Sequence, residues 1–300
     1  MASADWIAAD WGTSRLRVWA MDAQDRVIAS AASDQGMGGL TAEGFEPVLA
    51  ALIAPWRGAG QRLEVLICGM AGARQGWVEA PYAAVPCAPA GSLGVTAPTH
   101  DPLLSVRILP GLCQRDPADV MRGEETQIAG FIAADPGYDG TMCLPGTHAK
   151  WVRVAGGSVQ RFSTAMTGEM FALLGQQSVL RHSLDGEWDA DAFAAAAAEA
   201  LAEPQGLSGA LFGIRAASLL HPVCAGAALA RLSGLLIGAE LAAMRQYWQD
   251  APVTVIGDAA LASAYVQALA NAGCAVRQQD GAALALGGLI AARRFGRDNT

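Results

Sequence analysis

The chain has 300 residues, of which 52% are hydrophobic and 16% charged, and its formal net charge is −8. The length exceeds what one core supports and implies two domains of roughly 100–200 residues each. The apolar share, rich in alanine, excludes disorder, and an acidic surface with no basic run beyond Arg293, Arg294 and Arg297 excludes nucleic acid as an expected partner.

The opening WIAADWGTSRLRVWAMDAQDRVIAS predicts a strand at 6–9, a Gly-Thr-Ser turn, an alternating strand at 16–21, an Asp-rich turn and a third strand at 27–31. Helical spacing over 45–56 precedes the apolar run 65–68, which suits a strand buried on both faces and ends in Gly-Met-Ala-Gly. From 78 to 104 frequent Pro, Gly and Ala predict irregular or edge structure, followed by a strand at 105–109. The second half repeats this outline, with a helix at 124–134, a Pro-Gly-Tyr-Asp-Gly turn and a strand at 141–144 ended by Pro-Gly-Thr-His. Segments 152–154 and 159–162 flank Gly156-Gly157, a hairpin signal. Helices are predicted at 167–176, 189–203, 211–220 and 225–249, a strand at 253–256 leads into a Gly-Asp-headed helix, and the last helix, 282–295, has small residues on one face. A domain boundary near Arg122 gives an N-terminal domain of 1–121 and a C-terminal domain of 122–281.

Six cysteines, Cys68, Cys87, Cys113, Cys143, Cys224 and Cys274, lie far apart in apolar runs and form no C-x-x-C pair, so they read as buried thiols in a reducing compartment. The N-terminus MASADWIAAD lacks the basic start of a secretory signal. No stretch of about 18 apolar residues runs uninterrupted by Gly or charge. The expected location is the cytoplasm, with no membrane partner.

Four segments could carry chemistry. Asp10-Trp11-Gly12-Thr13-Ser14-Arg15 places a carboxylate at a strand end before a glycine turn with hydroxyls. Nucleotide phosphates need backbone N–H groups and hydroxyls about them, and a carboxylate to hold Mg²⁺ through its water shell; a plain hairpin with a capping Asp has the same pattern. Gly146-Thr147-His148-Ala149-Lys150 is a second such turn, with Lys150 as a cation for phosphate or a substrate carboxylate, or else a solvated strand-end charge. Gly123-Glu124-Glu125-Thr126-Gln127 stands at a helix start, where the dipole stabilises an anionic base, although acidic first turns are ordinary helix chemistry. Gly257-Asp258-Ala259 leads a helix of small residues that would leave a slot for an adenosine. No Walker A or dinucleotide fingerprint is present, and no His/Cys set is spaced for zinc.

In chain order, Asp10-x-Gly12-Thr13, Leu144–Trp151 and Gly257-Asp258 resemble the first phosphate loop, the second phosphate loop and the adenosine motif of the actin, hexokinase and Hsp70 superfamily, and Gly123–Gln127 resembles the Gly-Asp-Gln segment that carries the catalytic Asp in glycerol kinase-like sugar kinases. DWGTSRLRVW, ICGMAGARQGW, RGEETQIAG and PGTHAKWV together resemble the 2-dehydro-3-deoxygalactonokinase family from about Trp6 to the last helix. The resemblance implies an α/β two-domain actin-like ATPase (ribonuclease H-like) fold with an interdomain ATP and substrate cleft, and a C-terminal helix, 282–300, returning to the first domain. It implies ATP- and Mg²⁺-dependent phosphorylation of 2-dehydro-3-deoxy-D-galactonate at the 6-hydroxyl, with Glu124 as the base and Asp10 orienting Mg²⁺. Gly12, Thr13, Ser14, Gly146, Thr147 and Lys150 would then hold phosphate. An acid substrate needs a cation, and Arg74 can grip a carboxylate bidentately beside the glycine-lined loop Gly69-Met70-Ala71, with Trp77 against the carbon chain. Gly36, Met37 and His148 complete the expected sugar-acid pocket, and domain closure would exclude water. A sensor or hydrolase of the same fold, a kinase for another sugar acid such as 2-dehydro-3-deoxygluconate, and a homodimer all stay open.

Overall fold

The computed structural model describes residues 3–92, 94–184, 187–220 and 225–299; Cys224 lies outside them. The chain divides into two units. Unit one is Met1–Tyr138, Ala155–Arg161 and Gly281–Thr300; unit two is Asp139–Val154 and Phe162–Asp280.

Unit one begins with the antiparallel strands β1 (Trp6–Trp11), β2 (Leu16–Met21) and β3 (Val27–Ser33), followed by helix α1 (Phe45–Ile53). Strands β4 (Leu63–Gly69), β5 (Tyr82–Ala84), β6 (Val95–Thr96), β7 (Leu104–Ile108), β8 (Gly111–Arg115) and β9 (Ala118–Met121) follow, and then helix α2 (Glu124–Ala134). The main sheet runs β3-β2-β1-β4-β7-β6, with β1, β4 and β7 parallel. Period-two geometry splits β1 between two cores. Ile7, Ala9 and Trp11 pack with Phe45 and Leu49 of α1, whereas Trp6 and Ala8 pack with Leu289 and Ala292. Those two belong to the last helix, so α1 and that helix cover β1 from opposite faces. Each fully buried large apolar side chain contributes about 1.5–3 kcal/mol.

The sheet of unit two is built from strands β10 (Gly140–Leu144), β11 (Ala149–Ala155) and β12 (Ser158–Ala165), of which Ala155 and residues 158–161 are counted with unit one. The helices α3 (Thr167–Gln177), α4 (Ala190–Ala202), α5 (Leu207–Leu220), α6 (Ala225–Ala243) and α7 (Arg245–Trp248) follow, then β13 (Val253–Gly257), α8 (Ala259–Asn271) and β14 (Val276–Asp280). Its sheet runs β12-β11-β10-β13-β14, with β10 antiparallel to β11 and parallel to β13. Gly156 and Gly157, at φ +56° and +71°, make the tight turn between β11 and β12 that favours such hairpins. Both main sheets thus share one order: a strand meander on one side of its own first strand, and parallel strands on the other. This repeated ribonuclease H-like topology is the actin-like ATPase fold.

The chain ends in α9 (Gly281–Asp298), which packs against α2. A Cβ on Gly130 would lie 2.0 Å from the Leu284 carbonyl oxygen, and one on Gly288 would lie 1.8 Å from that of Thr126. The two backbones touch, which ties α2 to unit one, so the division falls after Tyr138 and not near Arg122. Three further corrections concern local structure. The β8–β9 hairpin and β14 were not expected; β14, VRQQD, has no fully buried position and therefore no apolar alternation. The helix expected over 225–249 breaks at Met244 into α6 and α7. Of the described cysteines only Cys68 and Cys143 are fully buried, and all five are free.

Candidate active site

In unit one, β1 and β4 run parallel, so both carry their C-terminal ends to one edge, where ligands of open α/β sheets bind. Asp10 stands there opposite Cys68 and Arg17 in the ladders. Its Oδ2 accepts a 2.5 Å hydrogen bond from Arg17 Nη2, and its side chain is 14% exposed. The Cys68 thiol points at Oδ1, 3.8 Å away, and burial together with the Asp10 and Glu125 charges holds that thiol protonated. Gly69 turns the chain at φ +90°, and a Cβ there would sit 2.7 Å from the Trp11 carbonyl oxygen and 3.5 Å from Asp10 Oδ1. Only glycine combines that φ with that closeness.

The second carboxylate reaches the same edge through another glycine. Gly123, at φ +108°, precedes α2, and its would-be Cβ is 3.5 Å from the Gly69 Cα. Asp10, Gly69 and Gly123 therefore form a continuous stack, and Glu124 follows as the first residue of α2. Glu124 Oε2 accepts the Arg122 N–H at 3.1 Å, and its side chain is partly exposed. Glu125 is buried; its Oε2 accepts the Gly123 N–H at 2.7 Å and its Oε1 the Thr126 hydroxyl at 3.1 Å. Burial first, and then the Glu124 charge, push its carboxyl up to about 8. Of the tandem acids, Glu124 is the one whose side chain reaches solvent.

The expected loops meet one another. A Cβ on Gly36 would lie 2.3 Å from the Thr13 carbonyl oxygen. The Met37 and Gly38 N–H groups donate to the Gly12 and Thr13 carbonyls at 3.0 and 2.9 Å. Gly36 and Met37 thus brace the turn 12–14, whose Thr13 and Ser14 are exposed. After Gly69, the short 3₁₀ turn Met70–Gly72 is locked by the Trp77 N–H donating to the Ala71 carbonyl at 2.8 Å. Trp77 itself is a core residue, 6% exposed, stacked on Phe45 and edge-on to Trp11, a packing role that the expected stacking on a substrate's carbon chain did not include. Arg74 is 81% exposed, its Nε 3.5 Å from Glu79. Arg17 and Arg122 carried no expectation from sequence. Arg122 Nη2 donates to the Ala80 carbonyl at 2.7 Å, and its guanidinium lies 4.3 Å over the Tyr82 ring.

In unit two, Gly146 and Thr147 form the turn between β10 and β11. Gly168, in the first turn of α3, could not carry a Cβ, which would lie 2.2 Å from the Gly146 carbonyl oxygen. The Glu169 N–H donates to the Thr147 carbonyl at 2.9 Å. A glycine turn and a helix N-terminus are thereby pressed together, which suits an anion such as phosphate. They open onto a cavity of about 720 Å³, lined among others by Thr147, Thr167, Trp188, Ile237, Leu261 and Gln267. An apolar cavity of this size with a few polar groups is of nucleoside dimensions.

Three further expected residues or groups of this unit are placed as follows. Lys150 is 4% exposed within β11, so it is a buried strand residue and not a cation of the open turn. His148 lies 2.5 Å from Glu169 Oε2, which joins it to the first turn of α3. Gly257, Asp258 and Ala259 are absent from the cavity's lining; Asp258 caps α8 by accepting the Ala260 N–H at 3.1 Å, and Gly257 approaches Pro145. The α8 side of the wall starts at the next residue, Ala260, and continues through Leu261, Ala264 and Gln267, and Ser233 and Ile237 of α6 also line the cavity. The strand-to-helix motif was legible; which face of α8 and α6 is hollow was not. Among the described residues no group of three or more His, Cys, Asp or Glu is disposed to hold a metal.

A sequence profile described as 2-keto-3-deoxy-galactonokinase matches residues 10–292. A Rhizobium meliloti protein named "Probable 2-dehydro-3-deoxygalactonokinase DgoK1" is 41% identical over 309 residues, covering 98% of each chain. The Escherichia coli 2-dehydro-3-deoxygalactonokinase is 37% identical over 283 residues, covering 91% of this chain and 92% of its own. Among solved structures, a Sinorhizobium meliloti protein described as a "putative 2-dehydro-3-deoxygalactonokinase protein" superposes with a TM-score of 0.89 at 38% identity, covering 96% of this chain and 98% of that one.

Proposed function

The chain belongs to the 2-keto-3-deoxy-galactonokinase family, and from that premise we propose the part each of its residues plays. It is a carbohydrate kinase that phosphorylates 2-dehydro-3-deoxygalactonate with ATP in galactonate catabolism. The acceptor is the 6-hydroxyl, and the enzyme works in the cytoplasm, a reading that its five free described cysteines suit.

The observation that carries the assignment of roles is the Asp10, Gly69, Gly123 stack, which sets Asp10 and the start of α2 at one sheet edge. Glu124 accepts the proton of the attacking hydroxyl, since it is partly exposed and stabilised as an anion at a helix N-terminus. Asp10, with Arg17 balancing its charge, orients Mg²⁺ through water. Bound Mg²⁺ would neutralise charge building up on the transferred phosphoryl group. In unit two the turn at Gly146 and Thr147 and the first turn of α3 hold phosphate, and the cavity takes the nucleoside. Arg74 is the cation proposed for the substrate carboxylate; an Arg74→Ala variant with unchanged KM for the sugar acid rejects that role.

Steady-state kinetics of Glu124→Gln and Glu125→Gln separate the tandem acids. Glu124→Gln is expected to lower kcat by roughly 10²–10⁴-fold, the usual worth of a general base, with KM values little changed. Glu125→Gln keeps the acceptor oxygen for Gly123 and retains most activity. The reverse pattern transfers the base to Glu125.

A further inference from the structure

Unit two contains a buried carboxylate that the phosphoryl-transfer chemistry leaves unused. Glu240, in the last turn of α6, is 5% exposed. It accepts hydrogen bonds from Trp151 Nε1 at 2.6 Å and from the Tyr265 hydroxyl at 2.7 Å. The Thr167 hydroxyl also bonds it. These donors come from β11, α8 and α3, so one carboxylate gathers three elements onto α6.

Two of the three also face the cavity. Thr167 and Tyr265 line it, and Thr167 begins α3, whose next residue, Gly168, lies against the Gly146 carbonyl. A shift of the Thr167 hydroxyl therefore moves the first turn of α3 relative to Gly146 and Thr147. Tyr265 is 1% exposed, and its ring keeps its position in the wall through the bond at its other end. Trp151, fully buried, follows directly from the strand that leaves the Gly146 turn.

We propose that Glu240 is a positioning residue for the nucleotide: by holding Thr167, Tyr265 and Trp151 together it fixes the cavity wall and the phosphate turn in one geometry, and so sets the affinity for ATP and not for the sugar acid. The proposal rests on the cavity of unit two being the nucleotide site. Buried polar groups of this kind specify a geometry because each partner lost leaves a donor unsatisfied. Glutamine in place of Glu240 keeps the shape but offers one acceptor oxygen where the carboxylate offers two. At least one of the three donors then loses its acceptor.

The test measures Kd for ATP by titration calorimetry, KM for the sugar acid and Tm in Glu240→Gln, Tyr265→Phe, Thr167→Val and Leu261→Trp. Glu240→Gln is expected to weaken ATP binding tenfold or more with KM for the sugar acid within twofold. Tyr265→Phe and Thr167→Val, each removing one bond, are expected to weaken it about threefold, and they decide the matter if Glu240→Gln does not fold. A lowered Tm with Kd for ATP within twofold, or equal rises for both substrates, overturns the proposal and leaves Glu240 a packing element. Leu261→Trp puts an indole on the cavity wall and narrows it; if it leaves ATP binding unchanged, the nucleotide reading of the cavity falls, and the role of Glu240 falls with it. If Leu261→Trp abolishes binding while Glu240→Gln does not, only the role of Glu240 fails.

Discussion

Glu125 shows how much one buried carboxyl can do to stability. Its carboxyl is raised from 4.5 to about 8, by burial first and by the Glu124 charge second. Between those values the folded chain holds a proton that the unfolded chain releases, so stability falls as pH rises from about 4.5 to about 8, at up to about 1.4 kcal/mol per pH unit from this group. Below 4.5 its contribution is complete; above 8 it is lost. Glu125→Gln is expected to flatten the fall of Tm over pH 5–8; a variant whose Tm follows the wild-type slope contradicts the shift. The sequence shows two acids at a helix start, but not which faces water. The period of α2 against β4 and α9 decides that, and it buries Glu125 and leaves Glu124 partly exposed. Trp77 shows the converse: a ring whose spacing suggests the substrate, and which the chain packs into the Trp11 and Phe45 cluster.

At the scale of elements, the glycines that matter are those where backbones touch. Gly288 brings α9 against α2, and the small-residue face of the last helix announced such a contact in the sequence without naming the partner. A Cβ at Gly288 must displace Thr126, two residues after Glu124. Gly288→Ala is therefore expected to cost about 1–3 kcal/mol and, with Glu124 as the proposed base, to lower kcat more than either KM, since it tilts the helix start that carries Glu124. Unchanged kcat with lowered Tm would show that α2 can move without carrying Glu124 out of place. The hairpin of 152–162 and the helix beginning at Glu124 were legible because Gly-Gly turns and acidic first turns are local signals. The β8–β9 hairpin and β14 were not, because half-exposed strands with few apolar residues leave no periodicity to read. The cavity wall likewise depends on which faces of α6 and α8 fail to fill the space between them, a property of packing across 30 residues of separation.

Across the whole molecule, one topology occurs twice and is put to two uses. The edge of the unit-one sheet carries the carboxylates, and unit two carries the glycine turn, the α3 N-terminus and the cavity. The repeat was visible in the sequence as two strand, glycine turn, strand patterns, and family membership adds the substrate that composition and spacing could not supply. Stereochemistry at a single carbon of the sugar acid is read by hydroxyl partners placed to fractions of an ångström, beyond any motif. The most direct test of the account is a coupled assay of ADP release with Mg²⁺ and ATP, offering 2-dehydro-3-deoxygalactonate, its gluconate epimer, the parent aldonates or no sugar. The account predicts ADP release with 2-dehydro-3-deoxygalactonate, little without sugar or with the aldonates, and its loss in Glu124→Gln. ADP release that is indifferent to the sugar acid, or that survives Glu124→Gln unchanged, would contradict it.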